Sequence, residues 1–282
     1  MISHSSLDVR STCAMLKVSR SSFYEWKNKK SAPDKVGDIL TEIRTIASEF
    51  SRYGYRRVTK ELQRRDVIVN HKRVHRLMKK HSLLVKRKRF TPKTTQSNHN
   101  LPRYENLAKK TVIIAPNMVW VSDITYVHLQ DEFVYLALIM DLFSRKIVGW
   151  DLSRDVDTYL TLTALNKAVM LRGTKEVKGC IHHSDHGVQY LSMTYMDRLR
   201  ELGMLPSMGE IGNSYDNAHA ESLNKTIKNE EVWINEYETF EQAYTSIQQF
   251  VQIYNEKRLH SSIGYVPPNE FEQQRINMRL VS

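Results

Sequence analysis

The chain has only two cysteines, Cys13 and Cys180. They are far apart and too few for a disulfide framework or a four-cysteine zinc site, so both are expected to be buried small hydrophobes. Nowhere do about 18 apolar residues run together, which excludes a membrane-spanning helix. The stretch from Met1 to Arg10 has no apolar signal core, and a cytoplasmic protein is expected. No internal repeat is visible. What remains is the composition of a globular protein, and 282 residues are enough for one large domain or two to three small ones.

Charge is in short supply in one half and in excess in the other. Residues 1–110 carry 27 Lys and Arg against 9 Asp and Glu, a net +18, whereas residues 111–282 net −7. A front half this basic attracts a polyanion by releasing its condensed counterions, and DNA or RNA is the expected partner.

The front half reads as helices. Val9, Cys13, Met15 and Leu16 mark one short helix, and Ser19 can cap a second that carries Phe23, Tyr24 and Trp26. Two short helices joined by a tight turn fit a helix-turn-helix over residues 1–30. A second helical block is expected over 36–90. Ile39, Ile43 and Ile46 form its first helix, and Val58 and Leu62 its second. Val74 and Leu77 mark a third helix that is capped by Asn70 and runs to about Val85. Lys72, Arg73, Arg76, Lys79 and Lys80 lie on the third helix, with Lys86, Arg87, Lys88 and Arg89 just after it. So many cations cannot all be core, and the helix can lie in a groove or along phosphates; a merely solvated face is the alternative. Residues 91–112, polar and without periodicity, read as a linker.

From Asn117 the pattern changes to strands: 118–129, rich in β-branched and aromatic residues, 133–140, a nearly continuous apolar run, and 146–152. Helix 158–172, strand 178–184, helix 194–202 and the short strand 204–208 follow, with Pro206 marking a sheet edge. A helix from Ala218 to Ile234 and another from Phe240 to Tyr254 close the series. The fold class is α/β, a mixed sheet flanked by helices and preceded by all-α segments. The core is expected over 113–235, with a C-terminal helical segment over 236–282.

Three carboxylates stand out. Strand alternation puts Asp123 on one face with Val119, Val121, Thr125 and Val127, where an unpaired carboxylate is costly unless a cation or basic side chain meets it. Asp185 stands at the carboxyl end of a strand, where open α/β sheets place ligands, and Gly187 allows a sharp turn beside it. Glu221 opens a helix reached through Gly212-Asn213-Ser214-Tyr215-Asp216-Asn217. Lys228, two turns on, shares its face, and Lys225 lies between them. A structural salt bridge for Asp123 and a surface pair with Lys225 for Glu221 are the alternatives. Breaking a phosphodiester calls for an activated oxygen nucleophile and a stabilised leaving oxygen, which two divalent ions about 3.5–4 Å apart supply. Hard Mg²⁺ takes Asp and Glu oxygens for that task.

In order and spacing these segments resemble OrfB-type transposases of the insertion-sequence-three family, relatives of retroviral integrases with an RNase H-like core. The resemblance is carried by five segments. They are Tyr53-Gly54-Tyr55-Arg56-Arg57-Val58, Trp120-Val121-Ser122-Asp123-Ile124-Thr125-Tyr126, Ser184-Asp185-His186-Gly187-Val188-Gln189-Tyr190, the 212–222 segment, and Tyr254 to Tyr265. The 35 residues between Asp185 and Glu221 match the family interval, and Lys228 matches its basic residue seven positions after the glutamate. The resemblance implies that Asp123, Asp185 and Glu221 hold Mg²⁺ or Mn²⁺, two ions per site. It implies strand cleavage at transposon ends, followed by attack of the freed 3′-OH on a phosphodiester. Lys228 would hold the transposon end near the metals, while Lys225, Arg56 and Arg57 are expected to join the basic residues above in binding DNA.

Double-stranded DNA, both terminal inverted repeats and target, is the implied partner of a bacterial, nucleoid-associated homo-oligomer. Because the start has no leucine-rich heptad, a separate or fused OrfA product would supply assembly contacts. His186 replaces an arginine, Val188 a small polar residue and Asn224 an aromatic; none removes a ligand, and they bear on efficiency or end preference. A domesticated, catalytically silent DNA-binding regulator is the rival reading, and a hydrolysing nuclease of the same superfamily a second.

Overall fold

Apolar residues at three- and four-residue intervals fix the helices of the basic front half. The computed structural model describes residues 8–31, 35–85, 104–209 and 217–281, and the chain divides into two units, Met1–Val85 and Lys86–Ser282. In the first unit α1 (Val9–Met15) begins at Asp8, whose carboxylate accepts the Ser11 N–H at 2.9 Å. Helix α2 (Arg20–Ser31) begins at Ser19, whose Oγ accepts the Ser22 N–H at 3.0 Å, the expected cap. Helices α3 (Lys35–Glu49), α4 (Tyr55–Arg64) and α5 (His71–Lys80) pack on one another and bury Ile43, Ile46, Val58, Leu62, Val74 and Met78. Arg65 reaches Glu42, Glu49 and Glu61 and so ties the end of α4 to α3. Asn70 caps α5 by accepting the Lys72 N–H at 2.8 Å. Helix α5 ends at Lys80, earlier than the expected Val85, because Ser82 takes a left-handed φ of 57° and the Leu83 N–H turns back to the Met78 carbonyl.

In the second unit the apolar strands assemble as β1 (Val119–His128), β2 (Phe133–Asp141), β3 (Ile147–Ser153), β4 (Ile181–Ser184) and β5 (Leu205–Met208). Their order across the sheet is β3-β2-β1-β4-β5, antiparallel among the first three and parallel from β1 to β5. Pro206 does lie in an edge strand. Helices α6 (Thr158–Arg172), α7 (Val188–Leu191) and α8 (Met193–Glu201) share one core with Trp120, Ile139 and Val148. On the opposite face α9 (Ala218–Ile227) and α10 (Phe240–Glu256) share the other with Val119, Val121, Leu136 and Leu138. The result is a mixed five-stranded sheet between two helical layers, the expected α/β class. No helix among the described residues is long and apolar enough to cross a membrane. Both cysteines are free and buried.

Three details depart from what the sequence leads one to expect. Residues 104–112, expected in the linker, lie on the sheet: Leu107 and Ala108 pack against the core, and the Leu107 N–H donates to Ser207 Oγ at 2.9 Å. Apolar Leu107 and Ile113 gain by leaving water, which a polar composition average hides. The helix expected to Ile234 is α-helical only to Ile227 and then widens into a π-helical turn, Lys228–Val232. This turn carries Glu231 inward, where Tyr237, Asn235 and Ser246 donate to its carboxylate. A further helix, α11 (Pro268–Val281), is anchored by Glu272, which Arg172 grips with two hydrogen bonds and Lys146 approaches at 3.5 Å.

Helix α6 lies so near β3 that a Cβ on Gly149 would stand 2.3 Å from the Ala164 carbonyl oxygen and 2.7 Å from the Ala168 Cβ. Gly149→Ala is therefore expected to cost about 1–3 kcal/mol through backbone displacement. An unshifted urea midpoint would contradict that close approach.

Candidate active site

Alternation along β1 sends Val119, Val121 and Val127 into the core beneath α9 and α10, and Trp120 into the opposite one. Asp123 faces α9, as its hydrogen bond below attests. The parallel register pairs Val119 with Ile181 and Val121 with His183. Carried two residues further, the same offset brings Asp123 level with Asp185, just past the end of β4. Two carboxylates thus meet at the carboxyl end of the central parallel pair, the place where an open α/β sheet receives its ligand.

Asp123 is half-buried. Its Oδ1 accepts the Ile124 N–H at 2.9 Å and its Oδ2 accepts Asn224 Nδ2 at 2.7 Å. Burial, and then the charge of Asp185, push its pKa up to about 8, against the Ile124 N–H and with the further help of Glu221. Asp185 Oδ1 accepts the Gly187 N–H at 3.0 Å. Gly187 has an ordinary φ of −60°, so the expected glycine-only turn is not what it provides. It leaves room instead: a Cβ there would lie 3.0 Å from Asp185 Oδ1.

Glu221 is exposed in the first turn of α9, and among the described residues no ion pair joins it to Lys225, which is also exposed. The surface-pair alternative therefore fails. Asn217, Glu221, Asn224 and Lys228 follow one another at four-, three- and four-residue steps, a single helical stripe. Asn217 Nδ2 donates to the Ser122 carbonyl at 3.3 Å. Lys228 Nζ stands 3.9 Å from the centre of the Tyr126 ring. Burial draws its pKa down, opposed by the charge of Asp123.

The π-helical turn that starts at Lys228 is held by Arg258, which is almost fully buried and grips Glu230 with Nε at 2.6 Å and Nη2 at 2.7 Å. The segment from Tyr254 to Tyr265 thus fixes the turn that carries Lys228. Tyr126 and Arg258 both fall inside the family motifs, but no local pattern in the sequence assigns them work. Arg258 lies 28 residues from its partner, and Tyr126 lies 102 from Lys228.

Of the substituted positions, His186 Nε2 lies 2.6 Å from the Gly209 carbonyl oxygen, Val188 is exposed at the start of α7, and Asn224 is buried against Asp123. The donor set, carboxylates from the middle of β1, the end of β4 and a helix, suits a hard divalent cation, which would also offset the burial and the Asp185 charge that raise the Asp123 pKa. Among the described residues no three His, Cys, Asp or Glu side chains are already gathered around one point. An ion held by these acids would complete its shell with substrate phosphate and water.

In the first unit Lys72, Arg76, Lys79 and Lys80 are exposed on α5 and Arg73 is partly so; among the described residues none is in an ion pair. Arg56 is exposed, its guanidinium 5.7 Å from the Tyr55 ring, and Arg57 is partly buried over Tyr53 at 5.6 Å. Lys86, Arg87, Lys88 and Arg89 lie outside the described residues.

Sheet order and the acids on the adjacent parallel strands β1 and β4 point to an integrase-type core, and comparison with known families agrees. An integrase core domain matches residues 114–214 and again 202–268, and an HTH-like domain matches 36–90. The uncharacterized 31 kDa protein of insertion element IS600 from Shigella sonnei is 36% identical over 93% of this chain and 97% of its own. The transposase for insertion sequence element IS629 of Shigella sonnei is 33% identical over 93% of this chain and 90% of its own. That for IS904 of Lactococcus lactis subsp. lactis (strain IL1403) is 36% identical over 84% and 94%. The chain belongs to the insertion-sequence transposases of OrfB type, of the insertion-sequence-three family. It carries the core of a DNA phosphoryl-transfer enzyme.

Proposed function

We propose that this protein cuts DNA at transposon ends and joins the freed 3′-OH to target DNA, with Asp123, Asp185 and Glu221 as metal ligands. The observation that carries the reading is the meeting of Asp123, in the middle of β1, with Asp185, just past the end of the parallel neighbour β4, and the Glu221 helix packed on β1. A pair of Mg²⁺ or Mn²⁺ ions, when bound, activates the attacking oxygen and stabilises the leaving one.

The chain's own residues do the rest. The three carboxylates supply hard anionic oxygens and hold them at fixed points of the scaffold. Lys228, braced on Tyr126, offers its ammonium to a DNA phosphate, and exposed Lys225 adds a second cation one turn earlier. In the joining step the transposon 3′-oxygen forms a bond to a target phosphorus while that phosphorus loses its bond to the target 3′-oxygen. The proton of the attacking hydroxyl ends on the leaving oxygen. Bond count is conserved, so no further energy source is needed. Two DNA ends must be paired for this, so the acting form is a homo-oligomer on DNA, with an OrfA product, separate or fused, as a further partner. The cytoplasmic nucleoid is its place of action.

The HTH-like block supplies DNA affinity through Arg56, Arg57 and the α5 cations, together with Lys86 to Arg89. Replacing Arg76 and Lys80 by alanine is expected to lower the slope of log affinity against log salt by about two, roughly 0.9 for each lost phosphate contact. An unchanged slope removes α5 from the interface.

Incubation of the protein with Mg²⁺, a labelled transposon-end duplex and plasmid target tests the whole reading. Labelled products longer than the input are expected. Shortened products alone identify a nuclease, and tight binding without any cleavage identifies a regulator.

A further inference from the structure

Asn224 is the one member of the α9 stripe whose side chain is buried (8% exposed) and bonded to one of the three acids. Its Nδ2 donates to Asp123 Oδ2 at 2.7 Å, while the Ile124 N–H occupies Oδ1 at 2.9 Å. The carboxylate plane of Asp123 is therefore held from both ends, once by its own strand and once by the helix that bears Glu221. The second hold spans 101 residues of sequence and is the only one made by a side chain among the described residues.

Two facts argue against simple packing. An aliphatic side chain of similar size would fill the space without leaving a polar atom unmet, yet Asn224 Oδ1 is buried with no hydrogen-bond partner among the described residues. A buried amide acceptor left open costs about 1–3 kcal/mol. The same pattern recurs earlier on the stripe. Asn217 is buried, donates to the Ser122 carbonyl beside Asp123 and leaves its own Oδ1 unmet among the described residues. Both amides spend their donors on the strand at Asp123, which clamps α9 to that strand on either side of Glu221.

We infer that Asn224 is a positioning residue for the metal site: it fixes the Asp123 carboxylate, and its distance from Glu221, before a divalent cation arrives. This inference rests on the proposed metal-ligand role of Asp123. Hydrogen-bond partners that orient ligands typically change metal affinity by about 10–100-fold when they are removed. Since Nδ2 is already engaged, Oδ1 is left as the acceptor for a hydrogen-bond donor entering with the cation, such as its water.

Mn²⁺ is the probe, and its binding to the full-length protein is read from loss of the free-ion electron paramagnetic resonance signal, with no turnover involved. Asn224→Leu, similar in volume and without the donor, is expected to weaken Mn²⁺ about 10–100-fold while circular dichroism and end-DNA binding stay as in wild type. Asn224→Gln, which retains the amide, is expected to recover most of the affinity, a rescue that lost packing would not give. Asn224→Ala removes the same donor and is read in the same way if the leucine variant does not fold. Affinity within twofold of wild type for either donor-free variant overturns the inference. Asp123→Asn is measured beside them. If it binds Mn²⁺ as wild type does, the metal-site reading itself fails; if it does not bind while Asn224→Leu binds normally, only the role of Asn224 falls.

Discussion

Replacing Asp123, Asp185 or Glu221 one at a time by its amide is expected to lower 3′-end joining by at least about 10³-fold, a loss of roughly 4 kcal/mol of transition-state stabilisation. End-DNA binding should stay within about twofold, because these substitutions leave the cations proposed to contact phosphate, on α5 and at Lys225 and Lys228, in place. Size and shape are conserved in these changes, so the loss isolates the charge. Asp185→Asn is the cleanest of the three. Its amide can be placed so that its oxygen still accepts the Gly187 N–H, and the turn into α7 is preserved. Glu221 is exposed and in no ion pair among the described residues, so a stability loss cannot explain inactivity of Glu221→Gln. Equal joining by wild type and any of the three removes that residue from the chemistry.

The second large effect is on the metal-free protein. The Asp123 pKa is raised from 3.8 to about 8 by burial and by Asp185. The folded state therefore holds a proton that the unfolded chain releases near pH 4. Stability from this group is complete below about pH 4 and is lost as pH rises through 8. Asp123→Asn, which cannot ionise, should escape that loss. At pH 8.5 without metal the variant should exceed wild type by on the order of 2–3 kcal/mol, a figure discounted for the water that reaches a half-buried group. At pH 4 the two should agree.

Adding Mg²⁺ at pH 8.5 should stabilise wild type and leave the variant unmoved, and below pH 8 metal uptake should release a proton. Melting curves of both proteins at the two pH values, with and without Mg²⁺, check each part. A wild type that tracks the variant at both pH values contradicts the raised Asp123 pKa that burial and the Asp185 charge produce.

Much of the fold and of the site is legible in the sequence, because local signals carry it. The Asn70 and Ser19 caps, the apolar run of β2, Pro206 at the edge and the alternation that places Asp123 with Val121 are all of this kind. Features that depend on distant partners are not legible. The π-helical turn after Ile227 exists because Glu231 finds Tyr237 and Ser246 and Arg258 finds Glu230. Residues from Tyr104 onward leave the linker because Ser207 waits on β5. In the sequence Asn224 is a mere departure from an aromatic, and only its 2.7 Å bond to Asp123 gives it work. The family motifs locate the acids; side-chain packing across the sheet shows what supports them.

The central claim, that these acids hold the catalytic metal, is tested most directly by changing the ligand and the ion together. Asp185→Cys replaces a hard oxygen with a soft thiolate, which Mg²⁺ binds poorly and Mn²⁺ tolerates better. Joining of a 3′-OH end should be abolished with Mg²⁺ and restored at least in part with Mn²⁺, whereas Asp185→Asn stays inactive with both. Joining by the cysteine variant that is equal to wild type in Mg²⁺ would contradict the account.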